Sequence, residues 1–411
     1  MQNLLDDWLE RIKNQHRKII DLDLKRVRVV ADRLGLLKPA YPIIIVGGTN
    51  GKGSTVAGLE AILLAAGYRV GAFTSPYLYR FNELVRVQGK AAQDEDFIQA
   101  FELIEKTRGD ITLTQFEFNT LAALFIFQHS QLDVGILEVG LGGRLDAVNI
   151  LDADVSVVTS IAIDHADWLG DTREKIAVEK AGIFRAGVPA VCGDFDPPVT
   201  LLAYATERSI SLFCQGVQFG FEPHLSSWTW WSQKTRLENL PLPHLALQNM
   251  STVLMTIELI QEKLPVKRAA IDVGLAEVDL PGRIQVIQGE ITQIFDVSHN
   301  PAAAEFLAHY LQQHKCAGKT HAVFSMLADK DILGTLYVMR NCIDEWYIAP
   351  LSGERGSSLS VLEYCFRTAQ IKSVNFYPEI KNAYETALAI AQSNDRIVVF
   401  GSFHTVAEAS S

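Results

Sequence analysis

Lys52 stands in the run GGTNGKGST (47–55), directly behind the apolar stretch IIIV (43–46). A lysine in a glycine-rich turn between a strand and a helix is suited to phosphate. The backbone N–H groups of the Gly51–Gly53 turn can cradle phosphate oxygens at a helix N-terminus, and Lys52 adds a point charge. The usual G-x-x-x-x-G-K-[ST] frame does not fit, however. With its lysine at Lys52, Val46 occupies the first glycine position and Gly53 stands where a metal-binding hydroxyl belongs. That hydroxyl must come from elsewhere in the chain.

Three further sets of polar residues follow apolar runs: Thr74-Ser75-Pro76, Glu138 with GLGGR behind it, and Asp164-His165. Nucleoside triphosphates arrive with Mg²⁺, which prefers hard oxygen ligands in octahedral geometry. The Ser75 hydroxyl and Glu138 carboxylate supply such oxygens. From its residue type alone His165 is open between a metal ligand and a turn histidine bonded to Asp164. Lys180, in EKAGIFRAG (179–187), is equally open between a surface lysine and a site residue. Later segments repeat the logic: FDVSHNP (295–301) offers Asp296, His299 and Asn300, and MLADKD (326–331) and GSFHT (401–405) also follow strands.

The elements that must hold these residues are legible as short apolar runs ending in punctuation. Strands are expected at Ile43–Val46, Val70–Phe73, Val134–Leu137 and Val155–Thr159, with helical periodicity over 56–67 and 120–129. Alternating strands and helices imply an α/β protein with a parallel sheet covered on both faces. Ligands of such sheets bind beyond the carboxyl ends of the strands, which is where all four polar sets fall. A second series of strands is expected at Ile291–Val297, Thr320–Met326, Glu345–Ile348 and Arg396–Phe400. Between the series lie a helical stretch at 246–264 and the turn LPGR (280–283), so domains are expected over 1–281 and 282–411. Residues 217–240, with Trp228, Trp230 and Trp231, alternate as an antiparallel ribbon does. Side chains packed on the domain are the plainer reading of those tryptophans, and an aromatic ligand platform the sharper one.

The 411-residue chain exceeds the size at which one core keeps growing. Its 48% hydrophobic and 21% charged content describes a globular protein. A net charge of −11 argues against nucleic acid as a partner, and no apolar stretch is long enough to cross a bilayer. Five cysteines without a C-x-x-C pair fit a reducing cytoplasm and no thiolate metal site.

Taken together, the segments GTNGKGST, TSPYLYRFNE (74–83), LEVGLGGRLDAVN (137–149), SIAIDHADWLG (160–170), EKAGIF, LPGR, FDVSHNP and GSFHTV closely resemble the bacterial folylpolyglutamate synthase/dihydrofolate synthase family of the Mur-ligase-like group. They run in family order across nearly the whole chain. The resemblance implies an N-terminal P-loop NTPase-like domain and a C-terminal Rossmann-like domain, with substrates between them. It implies that ATP phosphorylates a pteroate or folate carboxylate and that the amine of L-glutamate displaces the phosphate. On this resemblance Thr49, Asn50, Gly51, Lys52, Gly53 and Ser54 hold ATP together with Asn249, Arg283 and Asp296. Ser75, Glu138 and His165 become metal ligands. Lys180 matches the lysine that the family carboxylates with CO₂, giving an anionic ligand for a second Mg²⁺. K⁺ is the candidate monovalent cation. Lys52, Lys180 and His299 are the catalytic candidates, with His299 and Ser402 near the incoming glutamate.

The stretches IDLDLKRV (20–27), LTQFEFNTL (113–121) and GRLDA (143–147) resemble the bifunctional members of the family. There they form the dihydropteroate site, implicating Ile20, Asp21, Leu22, Thr114, Gln115, Phe116, Glu117, Leu145, Asp146 and Ala147. Gln115 and Asn119 depart from the tyrosine and glycine of relatives. Simple packing is the competing reading for Ile20, Phe116 and Leu145. Two rival functions share the phosphate loop: a ligase acting on peptidoglycan precursors, and a regulatory NTPase. TSPYLYRFNE and GLGGRLDAVN favour folate over the first, and the DVSHNP cluster argues against the second. The expected partners are therefore ATP, L-glutamate, dihydropteroate and reduced folates, acting on a cytoplasmic monomer without membrane or nucleic-acid contacts.

Overall fold

A computed structural model describes residues 2–353 and 355–410. It divides between Asp279 and Leu280 into two compact units. The N-terminal unit is built on strands β1 (Ile43–Gly47), β2 (Val70–Phe73), β3 (Val85–Val87), β4 (Lys90–Ala91), β5 (Val134–Glu138), β6 (Val155–Val158), β7 (Ala190–Cys192) and β8 (Leu212–Cys214). They form one sheet in the order β4-β3-β2-β5-β1-β6-β7-β8. Strands β2, β5, β1, β6, β7 and β8 run parallel, while β3 and β4 add an antiparallel edge.

The central strands are buried along their whole length, as their unbroken apolar runs demand. The chain leaves β1 through the glycine-rich turn and enters the helix Lys52–Ala65 at once, so the loop lysine is itself the first helical residue. That helix packs against the helices Leu247–Ile260 and Arg268–Glu277. The helix expected over 120–129 starts earlier, at Gln115, because Thr114 and Glu117 form a capping box. Strand β6 ends at Val158, one residue short of the expected span, because the Thr159 hydroxyl turns to bond the phosphate loop.

The ribbon is a three-stranded antiparallel sheet of β9 (Phe219–Pro223), β10 (Trp228–Ser232) and β11 (Arg236–Leu240). Trp228 and Trp230 are fully buried, and their indole N–H groups donate to the carbonyls of Pro241 (2.8 Å) and Ser251 (3.1 Å). Both pack as core side chains, the plainer of the two readings.

The C-terminal unit carries β12 (Gln285–Ile287), β13 (Thr292–Asp296), β14 (Thr320–Phe324), β15 (Glu345–Ile348), β16 (Val374–Phe376) and β17 (Arg396–Phe400) in the order β12-β13-β17-β14-β15-β16. All pairs but β12–β13 are parallel. Its separate core is dominated by Phe324, Trp346, Phe366 and Phe400. The five cysteines are free thiols. Among the described residues no helix is long and apolar enough to cross a membrane.

Candidate active site

The phosphate loop is held from the neighbouring strand. Thr49 N–H donates to Ser160 O (2.7 Å), and the Thr159 and Ser160 hydroxyls donate to Asn50 O at 2.7 and 3.0 Å. The Thr49 hydroxyl donates to Ala162 O and accepts from Ala162 N–H, both at 3.1 Å. Lys52 folds back over its own turn, with Nζ donating to the carbonyls of Gly48 (3.2 Å) and Thr49 (3.3 Å). Gly51 has φ +86°, and a Cβ there would fall 2.4 Å from Asn249 Oδ1. Asn249, on the helix Leu247–Ile260, thus lies against the turn whose ligand the resemblance says it shares. Thr159 and Ser160 are supporting residues that the sequence does not mark out. Their role is to accept from and donate to a backbone, which residue type alone does not announce.

The hydroxyl missing from the loop has a counterpart two strands away. Ser75 N–H donates to Glu138 Oε2 (3.4 Å), so the residues following β2 and ending β5 meet. Glu138 is 4% exposed, a buried acid paired in register with Val46 near the end of β1, the strand that leads into the Lys52 loop. Two hard oxygens beside a phosphate loop fit a Mg²⁺ ion that keeps some of its water and takes further ligands from the nucleotide. His165, beyond β6, has φ +52°, a left-handed conformation uncommon for a residue with a side chain. Its backbone N–H donates to Asp164 Oδ1 (2.8 Å), which holds the turn in place.

Lys180 is not a surface lysine. It is 3% exposed on the helix Arg173–Ala181. Burial first, and then the positive charge of Lys52, push its amine down to about 7, against the opposing pull of Asp164 and Asp146. The helix end that carries it is pinned to the GLGGRLDAVN loop. Arg144 N–H donates to Glu179 O (2.8 Å), and Asn149 Nδ2 donates to Gly182 O (3.1 Å).

The residues matched to a dihydropteroate site are tied to one another and to neighbouring loops. Arg26 donates to Asp21 Oδ2 (2.7 Å) and to Glu117 Oε1 (3.3 Å), tying the segment Ile20–Leu22 to the start of the helix Gln115–His129. Phe116 lies against Gly140, where a Cβ would fall 2.6 Å from the ring. Thr114 and Glu117 are occupied with each other: Thr114 N–H donates to Glu117 Oε2 (2.7 Å). Asp146 accepts from Leu141 N–H (2.9 Å) and Val148 N–H (3.1 Å), which fixes the loop that presents Leu145 and Ala147. Gln115 is exposed, while Ile20, Leu22, Phe116 and Leu145 are half-buried.

In the C-terminal unit the named residues gather where β13 and β17 end side by side. Asp296 accepts from the backbone N–H groups of Ile284 and Ser298, both at 2.9 Å, and so anchors the turn bearing Arg283. The Arg283 guanidinium sits 5.1 Å over the ring of Phe403, and the His299 ring centroid lies 6.3 Å from the same ring. Ser402 caps the helix Phe403–Ala409 through Thr405 N–H (2.9 Å). Asn300 and Asp331 likewise cap the helices that follow them. Phe403 is the residue sequence reasoning passed over, one place beyond Ser402.

Residues 46–192 match the Mur ligase middle domain and residues 282–403 the Mur ligase, glutamate ligase domain. The dihydrofolate synthase/folylpolyglutamate synthase of Escherichia coli K12 is 46% identical over 403 residues, covering 98% of this chain and 94% of the relative. The chain belongs to the dihydrofolate synthase/folylpolyglutamate synthase family. Among solved structures of that family, E. coli FolC in complex with DHPP and ADP superposes with a TM-score of 0.95 at 46% identity, covering 99% of this chain and 96% of that one. A bifunctional folylpolyglutamate synthase/dihydrofolate synthase with Mn, AMPPNP and L-glutamate bound gives 0.92 at 46% identity, covering 98% and 96%. Membership makes the fold that of an ATP-dependent ligase of the Mur type, and it removes the regulatory NTPase from consideration.

Proposed function

We propose that this chain is an ATP-dependent ligase that joins L-glutamate to dihydropteroate, giving dihydrofolate, and to reduced folates, giving folylpolyglutamates. The observation that carries the reading is the meeting of Ser75 and Glu138 beside the Lys52 loop, in a chain 46% identical to an enzyme of that name.

A carboxylate repels nucleophiles and has a poor oxide leaving group. Transfer of the γ-phosphoryl group of ATP to one carboxylate oxygen creates an acyl phosphate. The glutamate amine adds to its carbonyl carbon, and the tetrahedral adduct expels phosphate. Lys52 and the Thr49–Ser54 backbone hold the phosphates, with Asn249 beside the turn. Ser75, Glu138 and His165 would hold a Mg²⁺ ion, which when bound would supply charge neutralisation for the transferring phosphoryl group. Carboxylation of Lys180 by CO₂ consumes a neutral amine and releases a proton, and a depressed pKa supports it. The carbamate oxygens would then be available to a second Mg²⁺, with K⁺ as the candidate monovalent cation. Arg283 and Asp296 contribute to nucleotide contacts, and His299 and Ser402 to glutamate. Residues 1–281 hold the phosphates and metal, and residues 282–411 take the glutamate and add the Arg283 and Asp296 contacts to the nucleotide. The enzyme works as a cytoplasmic monomer.

The test is incubation with ATP, Mg²⁺, glutamate and either dihydropteroate or tetrahydrofolate, reading ADP release and product mass. Acceptor-dependent ADP release with a one-glutamate mass increase is expected for both. ADP release indifferent to both acceptors overturns the reading.

A further inference from the structure

Arg86 lies outside every set of residues discussed so far, on β3 at the antiparallel edge of the sheet. Its guanidinium is the meeting point of three elements. Nε and Nη2 both approach Glu60 Oε2, at 2.9 and 2.7 Å, and Glu60 belongs to the helix that begins at Lys52. Nη1 donates to the Thr74 hydroxyl (3.1 Å), one residue before Ser75, and to Glu83 O (3.4 Å). The Glu83 carboxylate in turn collects the N–H groups of Leu78 (2.8 Å), Tyr79 (3.1 Å) and Arg80 (2.8 Å). One cation therefore connects the phosphate-loop helix with the whole Thr74–Glu83 segment.

The energetics argue against a purely stabilising purpose. Glu60 is 6% exposed, and its Oε1 has no hydrogen-bond partner. A buried ion pair with one carboxylate oxygen left unpaired recovers little of its desolvation cost, and an apolar pair of similar volume is commonly as stable. What the pair does supply is a fixed distance between two loops. Ligating groups depend on such outer contacts for their orientation.

We propose that Arg86, held by Glu60, is a positioning residue that sets the Ser75 hydroxyl against the phosphate loop for the metal of the metal–nucleotide complex. The inference rests on the assignment of Ser75 as a metal ligand made under the proposed function. It predicts that loss of Arg86 acts on metal affinity more than on folding. The guanidinium is specifically required, because an ammonium cannot serve Glu60, Thr74 and Glu83 with a planar fork.

The experiment compares Arg86→Met, Arg86→Lys, the double variant Glu60→Met/Arg86→Met, and Ser75→Ala. Mn²⁺ binding in the presence of AMPPNP is read by electron paramagnetic resonance, alongside thermal unfolding and the Mg²⁺ dependence of turnover. Arg86→Met should weaken Mn²⁺ binding about tenfold or more and lower the unfolding temperature. The double variant, free of a stranded buried carboxylate, should regain thermal stability yet keep the metal defect. Arg86→Lys should fall between Arg86→Met and the unaltered chain. Normal Mn²⁺ binding in the stable double variant overturns the proposal. Normal Mn²⁺ binding in Ser75→Ala instead removes Ser75 as a ligand, a failure of the underlying reading that the same titration separates from the first.

Discussion

Asn249 Oδ1 stands 2.4 Å from where a Cβ on Gly51 would be, so the glycine-rich turn after β1 and a helix almost 200 residues later have no room between them. Gly51→Ala is therefore strained twice. The left-handed φ of +86° costs an L-residue about 1–2 kcal/mol, and the methyl group must displace Asn249. ADP affinity measured by calorimetry should fall at least about tenfold, the equivalent of about 1.4 kcal/mol. Asn249→Ala in the same background removes the clash and should return part of the loss.

Lys180→Ala should reduce turnover by orders of magnitude while leaving the unfolding temperature close to that of the unaltered chain. The packing lost with the buried lysine stem is offset by removing an amine whose charged form is poorly solvated there, while on the proposed function the site loses a ligand. Incubation of the unaltered chain with ¹³CO₂ should give a carbamate carbon resonance that the variant lacks. Near-normal turnover in the variant, or no such resonance, would remove the carbamate from the mechanism.

Asp146 gives a pH signature. Burial pushes its carboxyl from an ordinary 3.8 up to about 6, opposed by N–H groups of Leu141, Val148 and Gly140 and by the charge of Lys52. A raised carboxyl pKa means that the native state binds the extra proton between about pH 4 and about pH 6. That contribution to stability is full below the lower value and is lost as pH rises through the upper one. Asp146→Asn cannot titrate. Urea unfolding at pH 4.5 and 6.5 should show the variant gaining stability relative to the unaltered chain as pH rises, and a constant difference would refute the assignment.

Gly140 offers a test on the acceptor side. A methyl group there would press on Phe116, 2.6 Å away, a residue matched to the dihydropteroate site. Gly140→Ala should raise the KM for dihydropteroate about tenfold or more, a shift of the size that one misplaced pocket wall produces. The KM for ATP should stay within about twofold. Equal effects on dihydropteroate and tetrahydrofolate would place both acceptors on one wall.

Much of the site was readable because parallel strands buried on both faces appear as unbroken apolar runs, and IIIV, VGAF, VGILE and VSVV each end where a polar set begins. The edges were less readable. Strands β7, β8 and β16 have only three residues each, too few for a period to emerge. Burial was the other gap. Lys180 looks like any lysine near a helix end until the GLGGRLDAVN loop closes over its helix, and that closure depends on Arg144 and Asn149 meeting Glu179 and Gly182 from distant sequence. Glu60 and Arg86 likewise read as two ordinary surface charges, because only the fold brings the helix and β3 together.

Ser75 follows β2, Glu138 ends β5 and the glycine-rich loop follows β1, three strands whose register aligns Phe73 with Leu137 and Val46 with Glu138. No unfolded chain holds these groups together, so a metal–nucleotide complex recognises only the paired sheet. Ligand present at 100 times its dissociation constant would then deepen the native well by about 2.7 kcal/mol. The cell's nucleotide pool, on this view, braces the molecule as well as feeding it: a chain depleted of ATP becomes both idle and easier to unfold.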